Sequence, residues 1–140
     1  MLDWRGEQVK DRMVVAAGRG INRALAECVT ESKAVVRRRT TVLQGSIQMR
    51  PAVQLEKHVV GYWGSFAVNY AIYVEKGTRP HFPPVDAIAQ SMRLDPRHAY
   101  AVARSIASKG TKAYPYLVPT AQKIYPKLAG YIREAREASA

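Results

Sequence analysis

The sequence predicts an α+β fold: a long N-terminal helix, a small antiparallel β-sheet, short helices and a C-terminal helix. Three observations lead there. Apolar and small residues recur at steps of three, four and seven from Arg5 to Arg39. They then alternate residue by residue between Ile47 and Trp63, and helical spacing returns after Pro84. Strand-like and helix-like segments are thus segregated along the chain, and nothing between them has the composition of a linker.

The first stripe is Val9, Met13, Ala17, Ile21, Ala24, Cys28 and Val35, one face of a long amphipathic helix. Gly18 and Gly20 each weaken a helix by about 1 kcal/mol relative to alanine, so a bend or break is expected near them. The run Arg37-Arg38-Arg39 would fall in the last turn, where the helix dipole favours cations. It reads first as a solvated helix end and second as a basic patch for nucleic acid.

After "TTVLQGS" the period changes to two. Ile47 and Met49, Val53 and Leu55, and Val59, Gly61 and Trp63 predict short antiparallel strands. Pro51 removes a ladder donor and belongs at an edge or a bulge, and Glu56 to His58 supply the turn. "NYAIYVEKGT" mixes both periods and predicts a strand end or a single helical turn. Pro83 and Pro84 can start a short helix with Val85, Ile88 and Met92 on one face. In "DPRHAYAVARSIASKG", Asp95 caps, Pro96 starts the turn, Ala99, Ala103, Ile106 and Ala107 form a stripe, and Gly110 stops it. From Pro119 onward Ala121, Ile124, Leu128, Tyr131, Ile132 and Ala135 predict a terminal helix, kinked where Pro126 deletes a hydrogen bond.

The 140 residues fit one domain spanning 1–140, and 47% hydrophobic residues are enough to build a core. No stretch approaches the roughly 18 to 20 apolar residues that cross a bilayer. The charged opening "MLDWRGEQVKD" does not resemble a signal peptide, so a protein made in the cytoplasm with no membrane partner is expected. The single Cys28 allows no internal disulfide and has no metal-binding partner at a useful spacing; no cofactor is expected. Lys and Arg outnumber Asp and Glu by 22 to 11, a net charge of +11 that favours anionic partners without naming one.

The tripeptide Lys-Gly-Thr occurs twice, at Lys76 to Thr78 and at Lys109 to Thr111. Neither copy suits a phosphate loop, in which the lysine follows the last glycine and a helix starts at once. Here each lysine precedes its glycine, and each glycine reads as a chain-turning residue. His58, His81, His98 and Glu75 have no partner at a spacing that implies proximity, and no nucleophile sits in a recognisable setting. A non-enzymatic role is the expectation. The alternative is a small basic RNA-binding or ribonuclease-type protein, with Tyr70, Tyr73, Tyr114 and Tyr116 near the two Lys-Gly-Thr stretches and outside any clean stripe.

Several ordered motifs add a resemblance. "TTVLQGSI" (Thr41 to Ile47), "NYAIYVEKGT" (Asn69 to Thr78), "HFPPVDAIAQ" and "AYAVARSIASKGTKAYPYLVPT" together resemble the small tail-completion, or head-tail joining (neck), proteins of tailed bacteriophages, described as minor tail protein Z-like. Tyr-Val-Glu-x-Gly-Thr is the strongest of these. Val42 stands where that family usually has glycine, Thr120 where alanine is common, and the helix after Pro84 lacks a tryptophan near position 91. The resemblance implies a structural virion protein at the head-tail junction, forming a ring, expected to be a hexamer. Its partners would be copies of itself, the tail terminator, tail-tube and head-connector proteins, and DNA passing through the channel. Tyr70, Tyr73, Glu75, Gly77, Thr78, Arg79, Tyr114 and Tyr116 are the candidate assembly residues. Tyr70 and Tyr73 are expected to anchor a sheet, and Glu75 to pair with an arginine or backbone amides.

Overall fold

The chain begins with one helix, α1 (Gly6–Val35), which runs unbroken past Gly18 and Gly20. The computed structural model describes residues 5–36 and 41–139. α1 ends at Val35 with Lys33 in its last turn, and the Arg37-Arg38-Arg39 run lies outside the described residues. Then follow α2 (Thr41–Ser46), β1 (Ile47–Leu55), β2 (His58–Ser65), α3 (Ala71–Lys76), α4 (Val85–Met92), α5 (Pro96–Lys109), α6 (Val118–Ile124), a 3-10 turn (Tyr125–Lys127) and α7 (Leu128–Ala138). This is the expected α+β order, with one addition, the short helix at "TVLQGS"; of the two alternatives for "NYAIYVEKGT", the helical turn is the one found, at "AIYVEK". None of the helices is long and apolar enough to cross a membrane, among the described residues.

The chain gathers into two compact units, Met1–Val68 with Tyr116–Ala140, and Asn69–Pro115. In the first, α1 packs against both the β-hairpin and α7. Its buried stripe is Ala16, Gly20, Ala24, Cys28 and Ser32, a column of small residues spaced by four that lets a neighbouring helix approach closely. Gly20 shows why a glycine stands there: a Cβ would come within 2.7 Å of the backbone N and Cα of Ile132 on α7. Room for α7, not a bend in α1, is its role. Val9, Met13 and Val35 of the expected stripe are exposed. For Val9 and Met13 the physical reason is length: α1 extends about 45 Å, whereas the run from α6 through α7 is only about 30 Å and cannot cover it all. Val35 instead lies beside the buried face, which continues from Ser32 to Val36. Ala24, Cys28, Ile124 and Tyr131 form a core cluster, against which Trp63 and Leu128 pack. At its edge Arg23 donates to Glu134 and lies 4.1 Å over the ring of Tyr131, whose hydroxyl donates to Glu27 at 2.6 Å.

The hairpin is antiparallel, with Ile47 opposite Ser65 and Leu55 opposite His58. Its register shifts between Arg50 and Val53, which places the bulge at Pro51, where a residue without an N–H costs the ladder nothing. The freed Ala52 N–H donates to the side-chain oxygen of Asn22 on α1 at 2.7 Å, so the bulge also fixes the hairpin to its helix. At the other end α6 gives way to the 3-10 turn at Tyr125–Lys127, the break expected from Pro126.

The second unit pairs α4 with α5 around Ile88, Ala99 and Ala103, with Val85, Met92, Leu94, Val102 and Ile106 packed around them. Asp95 caps α5 as its sequence predicts, accepting from the N–H groups of Arg97 at 2.9 Å and His98 at 3.2 Å. The His98 ring also bonds this carboxylate, and that bond is the main cause holding Asp95 below its ordinary value.

Candidate functional site

Both Lys-Gly-Thr copies stop a helix, and the helices they stop are joined through them. At the end of α3 the Gly77 N–H donates to the Tyr73 carbonyl at 2.8 Å; at the end of α5 the Gly110 N–H donates to the Ile106 carbonyl at 2.8 Å. Gly77 has φ 71° and ψ −176°, Gly110 φ 72° and ψ −164°. That corner of backbone space belongs almost wholly to glycine. Both chains leave it extended and meet in an antiparallel bridge, Thr78 to Thr111. Each threonine N–H donates to the other's carbonyl at 3.2 Å, and the two hydroxyls lie 2.9 Å apart. The Tyr114 N–H donates to the Val74 carbonyl at 2.8 Å, extending the join by one more bond.

This clasp accounts for every position of the tripeptide. Lysine suits the last turn of a helix, where it meets the negative end of the dipole. Glycine is needed both for its φ and for space, because a Cβ on Gly77 would strike the Thr111 carbonyl oxygen and one on Gly110 the Thr78 carbonyl oxygen. Threonine bridges by backbone and side chain together. The sequence shows two chain-turning glycines but not that they turn toward each other, because their pairing is a contact 33 positions apart.

The candidate assembly residues divide by burial. Tyr70 and Tyr73 are exposed, but on α3, Tyr70 at its start, and not on a sheet. Arg79 and Tyr114 are exposed, while Gly77 and Thr78 sit half-buried in the clasp. Glu75 is only 8% exposed, which rules out a solvated carboxylate. Tyr116 is corrected outright: it is 0% exposed and belongs to the first unit. Its hydroxyl shares a 2.7 Å hydrogen bond with Ser65, and its carbonyl accepts from Thr120 at 2.8 Å and Ser32 at 3.3 Å. A tyrosine so placed is a core anchor that finds partners for its polar atoms. The threonine at 120 thereby has a use that alanine would lack.

Sequence reasoning missed how the second unit divides its apolar residues. Its core is aliphatic, whereas Tyr70, Tyr73, Phe82, Tyr100 and Tyr114, all five of its aromatic residues, are exposed. The signal was available at Tyr100, which lies off the α5 stripe of Ala99, Ala103 and Ile106. Phe82 and Tyr100 meet edge to face with centroids 6.1 Å apart, and the Lys112 ammonium lies 5.9 Å from the Tyr114 ring centroid.

The histidines do not converge. His81 bonds the Arg79 carbonyl, His98 bonds Asp95, and His58 opens β2. Among the described residues no group of three or more His, Cys, Asp or Glu side chains could hold a metal ion. No family model matches the chain, and neither does any curated protein or solved structure.

Proposed function

We propose that this chain is a structural virion protein of a tailed bacteriophage, one that completes the top of the tail and joins it to the head by ring assembly and protein-protein contacts. One observation carries the reading beyond the motif resemblance: the unit holding Tyr-Val-Glu-Lys-Gly-Thr keeps all five of its aromatic residues at its surface. Aromatic side chains exposed beside arginine are the composition of interface hot spots, where they bury large area at little entropic cost. In a closed ring each such contact recurs in every subunit, so a modest patch is multiplied. The clasp supports the same reading by fixing the backbone at two of these aromatics, Tyr73, whose carbonyl accepts from Gly77, and Tyr114, whose N–H donates to Val74.

Deleting the gene from a phage that encodes it tests the role. Filled heads and finished tails that do not join, restored by the gene in trans, are expected. A normal yield of infectious particles without the gene would reject the role, and RNA cleavage by the purified protein would put the ribonuclease reading in its place.

A further inference from the structure

We infer that the clasp carries a second surface, in which Lys76, Arg79, Lys109 and Lys112 bind the phosphate backbone of a nucleic acid without reading its sequence. The clasp is the reason these four act together. In sequence they form two pairs thirty or more positions apart; in the structure each lies within two residues of a bridged threonine. An antiparallel bridge sets its two chains about 5 Å apart. All four side chains are exposed, and among the described residues none has an ion-pair partner.

The charge does not cancel locally. Two helix C-termini end at the clasp, each equivalent to about half a negative charge, and Glu75 adds another, so about half of the four positive charges is offset. Lys76 and Lys109 are the natural partners of the helix ends. The surplus therefore rests with Arg79 and Lys112, one residue past the bridge on either chain. Tyr114 beside Lys112 offers an exposed ring on which a base could stack.

The occupant follows from charge complementarity. A second copy of this chain is a poorer source of anions, since each copy brings +11 overall. The copy's clustered carboxylates Glu27, Glu31 and Glu134 are already in contact with its own Arg23, Lys123 and Lys127. A nucleic acid offers what the surface lacks, a regular row of anions, and releases counterions when cations neutralise it. The inference does not depend on the phage reading, and its test uses purified protein, so either can fail alone.

Fluorescence anisotropy of the full chain with labelled duplex and single-stranded oligonucleotides, from about 0.05 to 0.2 M salt, decides it. Binding that weakens with salt is expected, and the two probes show which form of nucleic acid is preferred. Arg79→Glu with Lys112→Glu should weaken binding at least about tenfold and flatten the salt slope by roughly 1.8 for duplex or 1.4 for single strand. The control is Arg133→Glu with Arg136→Glu on α7, the same change in net charge elsewhere. Equal weakening by both pairs would overturn the site, as would no binding at the lowest salt, or displacement of the oligonucleotide by polyglutamate at equal charge. Should the reversed pair lower the melting temperature, Arg79→Gln with Lys112→Gln removes the same contacts without repulsion and is held to the same outcomes.

Discussion

Glu75 is a carboxylate held 8% exposed on a helix of six residues. Buried carboxylates persist where charge or hydrogen bonds compensate for the lost water, so removing the group leaves its surroundings uncompensated. Glu75→Ala should therefore lower stability by about 1 to 3 kcal/mol, read from chemical denaturation. A variant as stable as the parent would return Glu75 to the status of a surface charge. Cys28 makes the opposite case, a buried group kept neutral: burial, with Glu27 beside it as the lesser cause, pushes its thiol up to about 11. The folded thiol then holds its proton more tightly than the unfolded one, whose ordinary value is about 8.5. Its contribution is complete below about 8.5 and is lost as pH rises toward 11. Tyr131, raised chiefly by its bond to Glu27, acts in the same direction at higher pH. Cys28→Ala should flatten the fall in stability between about pH 8.5 and 11. The thiol of the native protein should also resist iodoacetamide at pH 8 and react once guanidinium unfolds the chain.

At the scale of elements, local grammar was readable and contacts between distant segments were not. The Asp95 cap, the Pro51 bulge, the Pro126 break and the stop at Gly110 each depend on a few adjacent residues, and each lies where the sequence places it. The buried stripe of α1 was displaced in its first turns because periodicity tells which face is apolar and not how far a partner extends along it. Thr41–Ser46 and Ala71–Lys76 are single turns or little more, too short for a 3.6-residue period to show. Of the candidate site, the importance of the Lys-Gly-Thr stretches was legible; their mutual bridge and the burial of Tyr116 were not, since both come from contacts far apart in sequence. The glycines distinguish local from non-local roles experimentally. Gly77→Ala and Gly110→Ala each combine a forbidden φ with a collision against the opposite threonine carbonyl, and each should cost about 2 kcal/mol or more. Gly18→Ala, with nothing within 4 Å of the new methyl and helical backbone around it, should instead stabilise by about 0.5 to 1 kcal/mol. Exchange rates of the Thr78 and Thr111 amides would report the clasp directly, rising in the first two variants and not in the third.

At the scale of the whole molecule, the proposed role requires a surface whose loss abolishes assembly while leaving the fold intact. Tyr73 is the residue to separate these. It is 58% exposed, so truncating its side chain removes little internal packing, and the change in stability should stay within about 0.5 kcal/mol. Its backbone carbonyl, which receives the Gly77 N–H, is unaltered by the substitution. An aromatic hot spot at a subunit contact is worth about 2 kcal/mol or more, a factor of roughly thirty in each association constant, and a ring incurs that loss at every contact it closes. Tyr73→Ala supplied in trans to a deletion phage should thus yield few infectious particles from soluble, fully folded protein, and Tyr73→Phe, which keeps the ring and its area, should restore most of them. Full infectivity from Tyr73→Ala would remove this residue from the joining surface. A loss that Tyr73→Phe shares would assign the effect to the hydroxyl and so to a hydrogen bond, not to buried aromatic area.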